Sequence, residues 1–197
     1  LQALDMLLYN MDKLLPSPAH AEAIPAENAD GDMVDLHCDA AEPTAAYVFK
    51  TVADPFVGKL SYLRVISGRV TAGISLVNAR TGDTEKLGKP LFICGKKQSD
   101  ADEIGAGDIG AVAKMVSART GDTLCDPARV VKLEAPVFPK PSFFMAVTVA
   151  KKGDEGKISS ALARLMEEDP TLSYENNAEI HQQIIGGLGE QHLDVVK

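Results

Sequence analysis

Two Gly-Lys pairs, Gly95-Lys96-Lys97 and Gly156-Lys157-Ile158, are the residues of this sequence nearest to phosphate chemistry. A P-loop needs G-x-x-x-x-G-K-S/T, whose backbone amides cradle phosphates while the closing hydroxyl holds magnesium. Neither pair is followed by Ser or Thr, so neither builds that site. Asp102-Glu103-Ile104-Gly105 fits the short D-x-x-G pattern of GTPases but has no N-K-x-D companion, and a turn is the simpler reading. His20, His37, His181 and His192 lack the i, i+4 spacing of a helical metal pair. Cys38, Cys94 and Cys125 form no C-x-x-C, and no G-x-S-x-G elbow is present. The acidic runs 100–103 and 167–169 read as solvated surface. No catalytic centre and no metal site emerges.

Two electrostatic features remain. Lys59, Arg64 and Arg69 lie in or beside the strongest hairpin pattern, and Lys96 and Lys97 sit at a turn; gathered on one rim, they would meet phosphates. Gly186-Gly187-Leu188-Gly189-Glu190 reads as a glycine-rich turn feeding a helix, with Glu190 already in the positive first turn.

The elements that would position these residues follow from composition and period. The 197 residues, 45% of them hydrophobic, are enough for one large or two small domains. The net charge of −8 argues against general nucleic-acid binding, DNA included, because that mode needs a basic field; it leaves room for a local basic patch. No stretch approaches a membrane span or a secretion signal, and the three separated cysteines fit reduced thiols of a cytosolic protein.

Leu1, Leu4, Leu7, Leu8, Met11, Leu14 and Leu15 share one helix face, and Pro16 and Pro18 stop that helix. It reads as the last helix of a preceding domain. From Ser17 to about Pro43 the chain reads as a connector, apart from a short strand near Met33–His37. Strand runs follow at 46–53, 59–70, 74–79, 91–94 and 109–116, separated by glycine turns, as in a barrel. The hexapeptide Ala79-Arg80-Thr81-Gly82-Asp83-Thr84 recurs letter for letter at 118–123, and both copies read as hairpin connections. After Pro136, Pro139 and Pro141, a doubly apolar strand from Phe143 to Val149 precedes a helix capped by Asp154 with Ile158, Ala161, Leu162, Leu165 and Met166 as its buried stripe. Two strands, 171–175 and 182–185, and a helix from Gly189 complete β-α-β-β-α, one strand short of the split βαβ pattern. The sequence thus reads as a piece cut from the middle of a larger protein.

These motifs resemble, in order, the translational GTPases of the elongation factor G type. Leu14-Leu15-Pro16-Ser17-Pro18 resembles the end of that family's GTPase domain. Phe49 to Leu60 with Arg64-Val65-Ile66-Ser67-Gly68 resembles the opening hairpin of its second domain, and Ala106 to Val112 with Thr120 to Leu124 the closing strands. Lys157 to Leu165, Glu167 to Leu172 and Gly187 to Leu193 resemble the third domain.

The resemblance implies an all-β barrel of the translation-factor type followed by a truncated ferredoxin-like α+β domain, divided as 1–20, 21–136 and 137–197. It implies a ribosome-binding, non-catalytic segment of a cytoplasmic factor whose GTP and magnesium are held elsewhere, and whose GTP hydrolysis moves transfer and messenger RNA. Its partners would be the RNA and protein of the small subunit, with Lys59, Arg64, Arg69, Lys96 and Lys97 as the phosphate contacts. Gln191 stands where the family has an apolar residue, and 176–182 lacks a turn glycine, which points toward a divergent paralogue or a ribosomal protection protein. The reading from another class is a free-standing enzyme with a site between the two domains.

Overall fold

The computed structural model describes residues 3–54, 57–148, 155–177 and 182–197. Helix α1 (Leu4–Leu14) ends before Pro16, and none of its residues is buried, so its apolar stripe lies open. The stretch read as a connector carries the expected short strand as β2 (Met33–Leu36) and a second one that was not expected, β1 (Ile24–Asn28); both join β13 (Val131–Lys132) in a three-stranded sheet. Alternation accounts for it: Ala26 and Leu36 are buried with Ala45, Ile66, Cys125 and Val131 in one apolar cluster, while their neighbours in the strands are more exposed.

The strands between are β3 (Ala45–Asp54), β4 (Gly58–Ser67), β5 (Arg69–Thr71), β6 (Ser75–Asn78), β7 (Thr84–Lys86), β8 (Pro90–Cys94), β9 (Lys97–Asp100), β10 (Glu103–Gly105), β11 (Ile109–Ala113) and β12 (Thr123–Cys125). Eight of them form a sheet in the order β7-β6-β12-β3-β4-β11-β8-β9, and β10 pairs with β5. Val70 of β5 and Ile104 of β10 share a core with Val48, Leu63, Leu76, Val112 and Leu124, so the small pair packs against the large sheet as a barrel requires.

Three local expectations change. The run 59–70 breaks at Gly68, whose φ is +69° and where a Cβ would come within 2.6 Å of the Thr44 Cα, so a side chain is excluded there. Residues 103–105 are a strand rather than a turn, because Ile104 points into the core. The first copy of the repeated hexapeptide does close a hairpin, between β6 and β7. The second does not: β11 pairs with β4 and β8, whereas β12 inserts between β6 and β3.

The reason is Asp122. Its carboxylate, 4% exposed, accepts from Arg80 Nε at 2.6 Å, Arg80 Nη2 at 2.9 Å, Asn78 Nδ2 at 2.8 Å and the Arg119 amide at 2.9 Å. The two copies therefore meet each other, and the chain crosses over instead of folding back.

The second part consists of β14 (Phe143–Val147), α2 (Glu155–Glu168), β15 (Ser173–Asn177), β16 (Gln182–Gly187) and α3 (Glu190–Val196), with sheet order β14-β16-β15. Leu162, Leu172, Ile185 and Leu193 are its core, with Ile158, Leu165 and Met166 packed against them; Ala161, expected in the stripe, is exposed. Phe143, Phe144 and Met145 are all exposed, Phe144 the most at 58%, so neither face of β14 is fully covered, although the sequence reads as apolar on both. Gly186 and Gly187 lie in β16, not in a turn. Added Cβ atoms would meet Ser173 Oγ at 2.5 Å and Leu193 Cδ2 at 2.6 Å, so a side chain at either position would require these neighbours to shift. The Asp154 cap, Val149 and the 178–181 turn lie outside the described residues.

Burial pushes the Asp122 carboxyl up, but its bonds to Arg80, Asn78 and the Arg119 amide outweigh that and hold it below the ordinary aspartate value. The folded state thus binds this proton less readily than the unfolded state. The stabilisation is complete above the ordinary value of about 3.9 and is lost as pH falls through the lower folded value. Asp122→Asn is expected to cost roughly 3 kcal/mol in urea unfolding at neutral pH, the low end for breaking a buried pair, because Arg80 is partly exposed. The variant should also lose less further stability than the parent below pH ~4. Asp83→Asn, at the same place in the exposed copy, should stay within about 0.5 kcal/mol of the parent. Equal costs at the two positions would contradict the assignment.

Candidate nucleic-acid interface

Strands β8 and β9 form an antiparallel hairpin, Leu91 opposite Asp100 and Cys94 opposite Lys97, closed by the two-residue tip Gly95-Lys96. Gly95 has φ +59°, the geometry of a II′ turn that takes glycine at its first position. Every residue of β9 is exposed, and the strand ends the eight-stranded sheet, so the hairpin is an arm with a free outer edge. Phe92, 38% exposed, and Cys94 lie on the arm, and Ile109 of the neighbouring β11 is 51% exposed. Gln98 Nε2 donates to Asp54 Oδ2 at 3.1 Å, bracing the arm against the end of β3.

The five basic residues separate into four places. Lys96 and Lys97 are at the exposed tip, with no carboxylate ion pair among the described residues. Lys59, at the start of β4, has a side chain only 17% exposed, with its Nζ 3.7 Å from Glu167 Oε2 of α2. Arg69 Nη1 lies 3.2 Å from Glu103 Oε2, and its Nε donates to the Ala40 carbonyl. Arg64, half-buried in β4, stands opposite Tyr47 and Ile109 and borders a small cleft with Pro18, Leu36 and Cys38. One continuous basic rim is therefore not what the barrel presents.

The charge around the arm sharpens its tip. Lys89, at the arm's base, is 2.8 Å from Asp100, whose hydrogen bond and charge raise the lysine's pKa. Asp100, Asp102 and Glu103 follow directly, so within the arm the lysines without a carboxylate partner are Lys96 and Lys97, at its tip. Such a tip can place two ammonium groups on phosphates, beside an aromatic face able to stack on a base.

Several organising residues escaped the sequence reading. Arg129 Nη1 pairs with Glu42 at 2.8 Å while its Nη2 donates to Pro43 O and Ser67 Oγ, pinning the loop before β3. The buried Glu85 carboxylate accepts the amides of Ser117 and Ala118. His192 Nε2 meets Asp169 Oδ2 at 2.9 Å and its Nδ1 accepts the Leu188 amide at 3.1 Å, which makes Nε2 the protonated nitrogen. Only the Arg80 to Asp122 contact carried a signal, the exact repetition of the hexapeptide. The nearby Gln191 is exposed, so a polar residue there carries no burial penalty.

Comparison with known proteins matches this architecture. Residues 43–127 match the family described as Elongation factor G domain 2, and residues 138–197 match Elongation Factor G, domain III. The chain is 41% identical over 182 residues to elongation factor G of Ureaplasma urealyticum serovar 10, and equally to that of Ureaplasma parvum serovar 3. These alignments cover 92% of this chain and 26% of each relative, so the chain spans about a quarter of their length. A crystal structure from Thermus thermophilus superposes with a TM-score of 0.75 at 28% identity, over 99% of this chain and 27% of that one. A barrel-like β domain and a ferredoxin-like α+β domain, each matched in order, make this an elongation factor G-like chain comprising that family's domains 2 and III.

Proposed function

We propose that this chain is the ribosome-contacting, non-catalytic portion of a cytoplasmic elongation factor G-type GTPase, and that the β8–β9 arm meets the RNA of the small ribosomal subunit. The observation that carries this is the exposed tip Lys96-Lys97, without a carboxylate partner among the described residues, on a domain matched to elongation factor G domain 2. With a net charge of −8, the chain as a whole does not favour phosphate, so a local pair of cations on the arm helps to orient the encounter as well as supplying affinity. Arg64 adds a second, half-buried candidate. Lys59 and Arg69 are occupied by Glu167 and Glu103 and contribute less.

In the whole factor, hydrolysis of magnesium-bound GTP to GDP and phosphate would supply the energy of translocation. This reading assigns GTP and magnesium to residues other than these, since neither Gly-Lys pair continues into Ser or Thr. The division at 20 and 136 belongs to the same reading. It treats α1 as part of a neighbouring domain because its apolar stripe finds no cover here, and it treats residues 137–197 as the relay between the barrel and the rest of the factor.

Binding of the chain to purified small subunits across a salt series tests the arm. Replacing Lys96 and Lys97 together by Gln should reduce the slope of log affinity against log salt by about 2, one for each phosphate no longer neutralised. Lys59→Gln and Arg69→Gln should each change it less. An unchanged slope in the double variant would remove the arm from the interface. Calorimetric titration with GTP and magnesium should give no binding heat, and a measurable affinity would overturn the assignment of nucleotide chemistry to other residues.

A further inference from the structure

The third-domain helix α2 touches the barrel through its polar side. Its apolar residues Ile158, Leu162, Leu165 and Met166 face its own sheet. Toward β3 and β4 it presents Glu167 and Glu168, with Ala163 and the edge of Met166 bordering a second open cleft beside Thr51 and Thr120. Glu168 Oε1 accepts the Ala53 amide, on a stretch of β3 that β12 does not reach. Glu167 lies 3.7 Å from Lys59 Nζ. Beside these contacts is an open cleft of about 870 Å3, lined by Thr51, Asp54, Lys59, Met115, Arg164 and Glu167. Although Val52, Val57 and Val116 also line it, the cleft is open, and among the described residues the two apolar cores share no member, so the joint lacks the apolar burial that would fix two domains rigidly.

The covalent connection is equally defined. Leu133 N donates to Thr123 Oγ1 at 3.0 Å, anchoring one end to the barrel; Ser142 N and Oγ donate to the carbonyls of Gly187 and Leu188, both at 2.9 Å, anchoring the other to the third domain. Between them runs an exposed segment with Pro136 and Pro139, a semi-rigid spacer. Asp169, the next residue after the acidic pair, is held by His192, so the end of α2 and the start of α3 move together.

We propose that Glu167 and Glu168 are a salt-sensitive latch that holds the third domain on the β3–β4 hairpin, and that its release lets this domain swing about the 134–141 segment. Two contacts centred on carboxylates, at least one half-exposed, are of the kind that salt screens, and among the described residues no shared apolar core joins the two domains. The opening motion separates Lys59 from α2, which frees the ammonium group for another anion.

Electron-spin distance measurements on the full chain test this, with labels at Lys86→Cys and Val195→Cys, both exposed, and with Cys38 and Cys94 replaced by Ser. At about 0.01 M salt, where screening extends roughly 30 Å, one narrow distance peak is expected; at about 1 M, where it extends roughly 3 Å, a broader and longer distribution. Glu167→Gln with Glu168→Gln should give the broad distribution already at low salt. Lys59→Glu should do the same, and adding Glu167→Lys to it should restore the narrow peak. An identical narrow peak in the double variant and at both salt concentrations would overturn the latch, as would a broad distribution in the parent at low salt. If the double variant loses its circular dichroism signature, the salt series on the parent and the charge-swapped pair decide between these outcomes.

Discussion

The bond between the Asp122 carboxylate and the Arg80 guanidinium determines how the barrel is assembled. It draws the second copy of the hexapeptide onto the first, and the chain leaves Asp122 directly into β12, which lies between β6 and β3. Without β12 in that position, β6 and β7 would have no seam with the rest of the sheet. The seam is reinforced by the backbone, since Val48 and the Gly121-Asp122 pair exchange hydrogen bonds at 2.9 and 2.7 Å. A buried carboxylate with several donors is costly to unpair, so this one contact fixes a topology that apolar patterning leaves open.

From that seam the remaining geometry follows outward. At one end of the sheet are β6 and β7; at the other, β8 and β9 extend as an arm with a basic tip. The long β3–β4 hairpin in the middle carries two register shifts, near Ala45 and between Val48 and Lys50, and its far end receives α2. One hairpin thus borders both candidate surfaces: an arm with a basic tip, and a joint to the third domain. The two surfaces meet at Asp54, which accepts from Gln98 of the arm and lines the interdomain cleft.

Alternating and helical periods make the fold class legible in the sequence. β3, β4, β6, β8 and β11, the β-α-β-β-α order and both stopping points around Pro16 and Pro170 follow from residue pattern alone. The short strands are not legible: β7, β9, β10, β12 and β13 have two to four residues, too few to show a period, and β9 has no buried residue at all. Gly186 and Gly187 read as a turn because the sequence reports glycine but not the Ser173 and Leu193 atoms that crowd these positions in the strand. For the candidate site, residue type and position single out all five basic residues alike, and only the three-dimensional arrangement shows that Lys59 and Arg69 face carboxylates far away in sequence. Charge composition cannot distinguish a free cation from a paired one.

If the β8–β9 arm lies against ribosomal RNA, Cys94 gives direct access to the contact, being exposed and next to the tip. Hydroxyl radicals generated from an iron chelate tethered at Cys94, with Cys38 replaced by Ser, should cleave small-subunit RNA at a compact set of nucleotides when the chain is bound. The same chelate moved to Ser75→Cys, in β6 near the opposite end of the sheet, should leave those nucleotides intact. Cleavage from Ser75→Cys at these nucleotides with none from Cys94 would contradict the account.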